Sequence, residues 1–200
     1  MSSYENALKE KGFKIIAGVD EAGRGPLAGP VVAAACIFLS DLFLPNLNDS
    51  KKVTPKKREE LYHYLVNSKE IVFSVGIVDS KTIDEINILQ ATFKAMQRAV
   101  WSLSKKPEYL LIDGNQLPSF PVPAKGIIKG DSLSISIAAA SIIAKQTRDN
   151  IMAGYHNKWP EYNFLGHKGY GTKKHLEALQ KHGPSEIHRK SFAPVKSLVR

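Results

Sequence analysis

Only one of the 200 residues is a cysteine, Cys36, so no disulfide can form within the chain. That scarcity suits a reducing compartment and argues against a disulfide-stapled secreted fold or a thiolate zinc site. Cys36 lies inside an apolar run and reads as a small core residue. No apolar run approaches the roughly 20 residues of a membrane-spanning helix; the longest is Val31 to Leu39. Met1 to Lys11 is polar and of mixed charge, unlike a secretory signal. The expectation is a cytoplasmic protein with no membrane contact. Internal repeats and low-complexity segments are also missing. Acidic residues are scarce relative to basic ones, 19 against 28, for a formal charge of +9. That imbalance favours a polyanionic partner, nucleic acid ahead of an anionic membrane surface.

What remains is ordinary for a globular chain: 43% hydrophobic and 24% charged residues, enough for one domain with a substantial core. The positive charge is concentrated. Residues 156–200 hold nine Lys/Arg against three Glu, and five of the six histidines (156, 167, 175, 182, 188). The chain is therefore expected to divide into a core, 1–155, and a basic C-terminal extension, 156–200, within one domain, and the expected state is a monomer.

Along the chain, Phe13 to Val19 reads as a first strand and Val31 to Leu39 as a buried second one. Between them stand Asp20, Glu21 and a loop, Gly23-Arg24-Gly25. The loop approximates a dinucleotide fingerprint, but Pro26 and Pro30 oppose a helix running out of it, and the carboxylates would repel a pyrophosphate. The connection is strand–loop–strand, with antiparallel strands. Thr54-Pro55 opens a helix with Thr as N-cap. Ile71 to Val78 is a third strand. Thr82 to Glu85 forms a capping box before a long apolar stripe from 83 to 103. Tyr109 to Ile112 and Ala124 to Lys129 are the fourth and fifth strands. Ser134 to Arg148, rich in Ala, Ser and Ile, reads as a helix buried in its first half, with Lys145, Arg148 and Asp149 returning it to solvent. Thr172 caps a last helix that stops at Gly183-Pro184.

Four carboxylates recur at the ends of these strands: Asp20, Glu21, Asp113 and Asp131. Singly, each aspartate also suits a turn or a cap. Together, on adjacent strands, they would converge on one crevice and repel one another. Hard divalent cations, Mg²⁺ or Mn²⁺, two of them about 4 Å apart, resolve that repulsion. Neighbouring strand residues point to opposite faces, so Asp20 and Glu21 would share a site only if the strand ends or bulges between them. The residues alone leave open a non-catalytic basic nucleic-acid-binding protein, although bare carboxylates beside a binding face would repel phosphates.

Val19-Asp20-Glu21-Ala22-Gly23-Arg24-Gly25-Pro26-Leu27-Ala28-Gly29-Pro30-Val31 resembles the signature of the type 2 ribonuclease H family, its ribonuclease HII branch in particular. The resemblance continues through Asp49-Ser50-Lys51-Lys52, Asp113-Gly114-Asn115, Lys129-Gly130-Asp131, the Ser136–Lys145 stretch, Gly169-Tyr170-Gly171-Thr172 and His188-Arg189-Lys190-Ser191-Phe192. It implies an α/β ribonuclease H-like fold: a mixed five-stranded sheet flanked by helices, with a C-terminal helical extension. It also implies hydrolysis of the RNA strand of RNA–DNA hybrids and incision 5′ to ribonucleotides embedded in DNA, dependent on Mg²⁺ or Mn²⁺. Asp20, Glu21, Asp113 and Asp131 match the family's catalytic, metal-holding carboxylates. Gly23, Arg24, Gly25 and Tyr170 match its 2′-hydroxyl-sensing residues. Lys51, Lys52, Lys168 and Arg189 are expected phosphate contacts. The Gly-Arg-Gly loop and Tyr170 distinguish this reading from a nuclease of the same fold superfamily that acts on DNA alone.

Overall fold

The computed structural model of the chain describes residues 1–40 and 54–199. One sheet has the order β3-β2-β1-β4-β5, formed by β1 (Ile16–Ala22), β2 (Val31–Phe38), β3 (Ile71–Val78), β4 (Tyr109–Asp113) and β5 (Ala124–Ile127). The α-helices are α1 (Ser3–Glu10), α2 (Pro55–Asn67), α3 (Ser80–Trp101), α4 (Ile135–Lys158), α5 (Phe164–His167) and α6 (Lys173–His182). β2 runs antiparallel to both β1 and β3, whereas β1, β4 and β5 are mutually parallel. The C-terminal ends of β1, β4 and β5 therefore open on one edge of the sheet, where α/β folds bind ligands.

Small residues bring the helices onto both faces. Gly18 in β1 meets the Ser136–Ile137 backbone of α4, and Gly76 in β3 meets Ala95 and Ala99 of α3. A methyl group at either position would overlap main chain, so neither position accepts Ala without moving a helix. On the α3 side, Ala17, Val19, Ala33, Ala35, Ala95 and Ile112 are buried together. On the α4 side, Ala34 and Cys36 pack on Ala138, Ala139, Ile142 and Ile143. β2 is thus buried on both faces, as its unbroken apolar run requires. Burial pushes the Cys36 thiol up, which leaves it a core residue.

Several boundaries differ from the sequence expectation, and β5 stops at Ile127 instead of Lys129. β1 begins at Ile16 and runs regularly to Ala22, still paired with Val32, instead of ending at Val19. α3 is capped by Asp79, whose carboxylate accepts from Thr82 N at 2.8 Å, and it breaks at Asn87 (φ 66°), whose side chain accepts from Gln90 N and restarts the helix. α4 does not surface at Arg148: it continues to Lys158, across the expected boundary at 155, and Arg148 is wholly buried. The expected loop Asn46 to Lys52 lies outside the described residues.

Beyond α4, Tyr162, Phe164, Leu179, Ile187 and Val195 enclose Leu27, Ala28 and Met152 in one apolar cluster. The extension is fastened to the segment that follows the Gly-Arg-Gly loop, and so to one flank of the strand-end edge.

Candidate active site

Asp20 lies in β1 opposite Ala34, and Glu21 opposite Ala33, with no bulge between them. The parallel ladder between β1 and β4 stops at Val19–Ile112, leaving Asp20 and Asp113 as neighbours just past the paired segment. Asp20 shares the α4 face with Gly18. Its carboxylate leans along the strand to accept its neighbour's amide, Glu21 N, at 2.7 Å. Glu21 turns to the α3 side and lines a pocket of about 150 Å³ with Arg24, Thr92, Met96, Asp113, Asn115 and Gln116. The geometric difficulty is therefore resolved without a bulge: the two carboxylates straddle the strand, and Asp113 lies within electrostatic reach of both.

Asp113 is fixed by the next loop, where its Oδ1 accepts from Gly130 N at 2.7 Å. Asp131, the following residue, sits in a short 3₁₀ turn and is buried, at 3% exposure. Among the described residues, no three His, Cys, Asp or Glu side chains are close enough to form a ready metal cluster. The electrostatics nonetheless mark an anionic site. Burial, then Glu21, then Asp113 hold the Asp20 carboxyl well above the usual range, against the Ser141 hydroxyl and the Glu21 amide. Burial also raises Glu21, and Arg24, 3.4 Å from its Oε1, opposes the shift. Carboxylates within electrostatic reach of one another, with Arg24 offsetting the charge at Glu21 alone, are the hard oxygen donors that a divalent cation takes.

The Gly-Arg-Gly loop packs against the turn that carries Tyr170. A Cβ on Gly25 would lie 3.8 Å from the Tyr170 ring, and Leu27 N donates to Gly169 O at 2.8 Å. Gly23 (φ 96°) leaves no room for a side chain beside Arg148. Tyr170 is 44% exposed, so its ring borders the open face. The structure therefore brings Gly23, Arg24, Gly25 and Tyr170 together next to Glu21.

The expected phosphate contacts diverge. Lys51 and Lys52 lie outside the described residues. Lys168 is half-buried beside Tyr170, with its carbonyl accepting from Arg148. Arg189 is no phosphate contact: it is 0% exposed, and its guanidinium donates to the carbonyls of Gly23, Arg24 and Gly29 at 2.5–3.1 Å. Surface charge was the wrong inference, because a buried arginine needs acceptors and the tight loop supplies them.

Two further residues escaped sequence reading. Ser141 hydrogen-bonds Asp20 from α4. Arg148, on the same helix face at i+7, donates to Ala28 O, Pro30 O and Lys168 O, each at 3.0 Å. The Ser141–Lys145–Arg148 spacing was the available signal, an i, i+4, i+7 stripe.

The histidines serve the extension. His188 Nδ1 accepts from Ser185 N, so its Nε2–H faces His175 Nε2 at 2.9 Å, and the opposite nitrogen of His175 donates to Tyr170 O at 2.9 Å. Burial first, then neighbouring histidines and only partly offset by backbone partners, pushes both His175 and His188 down to about 4.

The ribonuclease HII family model matches residues 17–195. Ribonuclease HII of Bacillus anthracis (strain CDC 684 / NRRL 3495) is 58% identical over 200 residues, which is 100% of this chain and 77% of that protein. The ribonuclease H2 structure from Pyrococcus horikoshii OT3 superposes with a TM-score of 0.75 at 27% identity, covering 92% of this chain and 96% of that one. Bst-RNase HIII, solved in complex with Mn²⁺, shares the fold at a TM-score of 0.64 and 16% identity, covering 92% of this chain and 68% of that one. The mixed sheet, the carboxylates at its parallel strand ends and the match along this chain agree: the chain belongs to the ribonuclease HII family and is an endoribonuclease of the ribonuclease H-like fold.

Proposed function

We propose that this endoribonuclease hydrolyses the RNA strand of RNA–DNA hybrids and incises 5′ to single ribonucleotides in duplex DNA, leaving 5′-phosphate and 3′-hydroxyl ends. Asp20, Glu21, Asp113 and Asp131 would hold Mg²⁺ or Mn²⁺, two ions during catalysis. The observation that carries the reading is the pocket where Glu21 and Asp113 meet Arg24, beside the loop that packs on Tyr170. The Mn²⁺ complex of the related Bst-RNase HIII supports the choice of metal. Bound divalent ions would supply Lewis-acid stabilisation of charge at the scissile phosphate and a lowered pKa for the attacking water.

The chain's own residues do the rest. Gly130 N and Ser141 orient Asp113 and Asp20, so the donors are set before substrate arrives. Gly23 and Gly25 let backbone approach a minor groove closely, and the Tyr170 ring borders the same face. A 2′-hydroxyl both donates and accepts, so a sensor of this kind tells RNA from DNA at one nucleotide. The buried histidines, bound to backbone and to each other, are not available as general bases.

The Asp113→Asn variant tests the assignment. It retains affinity for a duplex with one embedded ribonucleotide within a few-fold and loses about 10²-fold or more in cleavage, as for a group that acts mainly in the transition state. Gel-shift and single-turnover assays measure the two. Cleavage near the wild-type rate would remove Asp113 from the catalytic set.

A further inference from the structure

Arg148 and Arg189 are both 0% exposed, lie near enough that Arg148 adds to the burial that lowers Arg189's affinity for its proton, and form no ion pair with a carboxylate among the described residues. Between them they donate to six carbonyls: Gly23, Arg24 and Gly29 from Arg189, and Ala28, Pro30 and Lys168 from Arg148. Burying two guanidinium groups to brace a loop is a costly solution, because well-packed apolar residues usually fill such a space at no loss of stability. The arrangement achieves something apolar residues would not: it sets the direction of individual peptide planes.

A trans peptide carries its C=O and N–H on opposite sides. With the Gly23 and Arg24 carbonyls drawn inward onto Arg189, the N–H groups of Arg24 and Gly25 face outward. Among the described residues, neither amide is taken by an internal acceptor. The next residue, Pro26, has no N–H, so these two amides stand alone on the outer side of the loop, with the Tyr170 ring beside Gly25. Arg148 ties the other wall, through Lys168 O, to the same loop.

We propose that Arg189, assisted by Arg148, is a positioning residue for ribonucleotide recognition: it aims the Arg24 and Gly25 amides at the sugar edge of the substrate without touching it. This rests on the loop's proposed role in 2′-hydroxyl sensing. Lysine keeps the charge but cannot reach three carbonyls from a planar fork, so Arg189→Lys separates aim from charge.

The experiment measures, in the Asp113→Asn background, the affinity for a duplex with one ribonucleotide and for the same duplex in all-DNA form. Arg189→Lys lowers the preference for the ribonucleotide roughly tenfold, the scale of a small misplacement at a polar contact, while affinity for the all-DNA duplex is held. Arg189→Gly behaves the same, and millimolar guanidinium restores its preference. A preference unchanged in Arg189→Lys, or two affinities falling in step, overturns the inference. A protein with native arginines that shows no preference sinks the sensing role itself, a separate failure. Amide exchange in the protein with both arginines intact gives a reading that needs no arginine variant to fold. The Arg24 and Gly25 amides are protected by the ribonucleotide duplex and not by the all-DNA duplex; equal protection by both contradicts the proposal.

Discussion

At the residue scale, Asp20 carries the tension of the site. Its carboxyl is raised in the folded state by burial, Glu21 and Asp113. An acid with a raised folded pKa binds more protons folded than unfolded, so stability falls as pH rises from the ordinary carboxylate range through the raised value. At neutral pH, without cations, the folded protein therefore carries an unfavourable charge. Asp20→Asn removes it. The metal-free variant melts higher than the parent by about 2–4 °C, the shift of roughly 1 kcal/mol in a chain this size, and it no longer gains stability from Mn²⁺. Calorimetry with and without Mn²⁺ checks both halves. A variant less stable than the parent without metal would mean that Asp20, Glu21 and Asp113 are not under mutual strain. Legibility was uneven at this scale. The acids announced themselves by recurrence at strand ends. Arg148 and Arg189 did not, because a charged residue in sequence looks the same on the surface and over a buried carbonyl cage.

At the element scale, patterns that depend on local chemistry were readable. Thr54 and Thr172 cap α2 and α6 as their side chains imply, and Gly183 stops α6 at a positive φ (72°). β3 spans Ile71–Val78 as its composition suggests. What failed depended on tertiary partners. β1 extends through two acids because β2 continues alongside it to Val32, and pairing outweighs the low strand propensity of Asp and Glu. The break in α3 at Asn87 was hidden because apolar spacing continues on both sides of it.

The His188–His175 relay makes a pH prediction for the turn that carries Tyr170. Both imidazoles are pushed from an ordinary 6.5 down to about 4. A base with a depressed folded pKa contributes stability that is present above its unfolded value and lost as pH falls toward its folded one. The urea midpoint therefore drops as pH is lowered from about 6.5 toward 4. His175→Asn, whose amide can still donate to Tyr170 O, has a shallower dependence over that window. Parallel pH profiles for parent and variant would assign the acid sensitivity elsewhere.

At the scale of the whole molecule, the formal charge of +9 and the basic C-terminal quarter meet the sheet edge where the carboxylates lie. In the proposed function the cations would draw the duplex in, and the acids would hold ions between it and the protein. No described helix is long and apolar enough to cross a membrane. Lys168 stands beside the Tyr170 turn, and Lys168→Ala tests its phosphate role. Affinity falls similarly for ribonucleotide and all-DNA duplexes, and the slope of log affinity against log salt shrinks by about 1. An unchanged slope would make its backbone carbonyl, held by Arg148, its main contribution.

The central claim is that strand-end carboxylates and the Gly-Arg-Gly loop act as one device, cutting only where a ribose is sensed. The most direct measurement maps the cut on a DNA duplex with one ribonucleotide, with Mg²⁺ or Mn²⁺ present and again after chelation. The prediction is a single metal-dependent incision 5′ to the ribonucleotide, leaving a 3′-hydroxyl and a 5′-phosphate, and no cut in the all-DNA duplex. Equal cutting of the two duplexes, or incision that survives chelation, would contradict it.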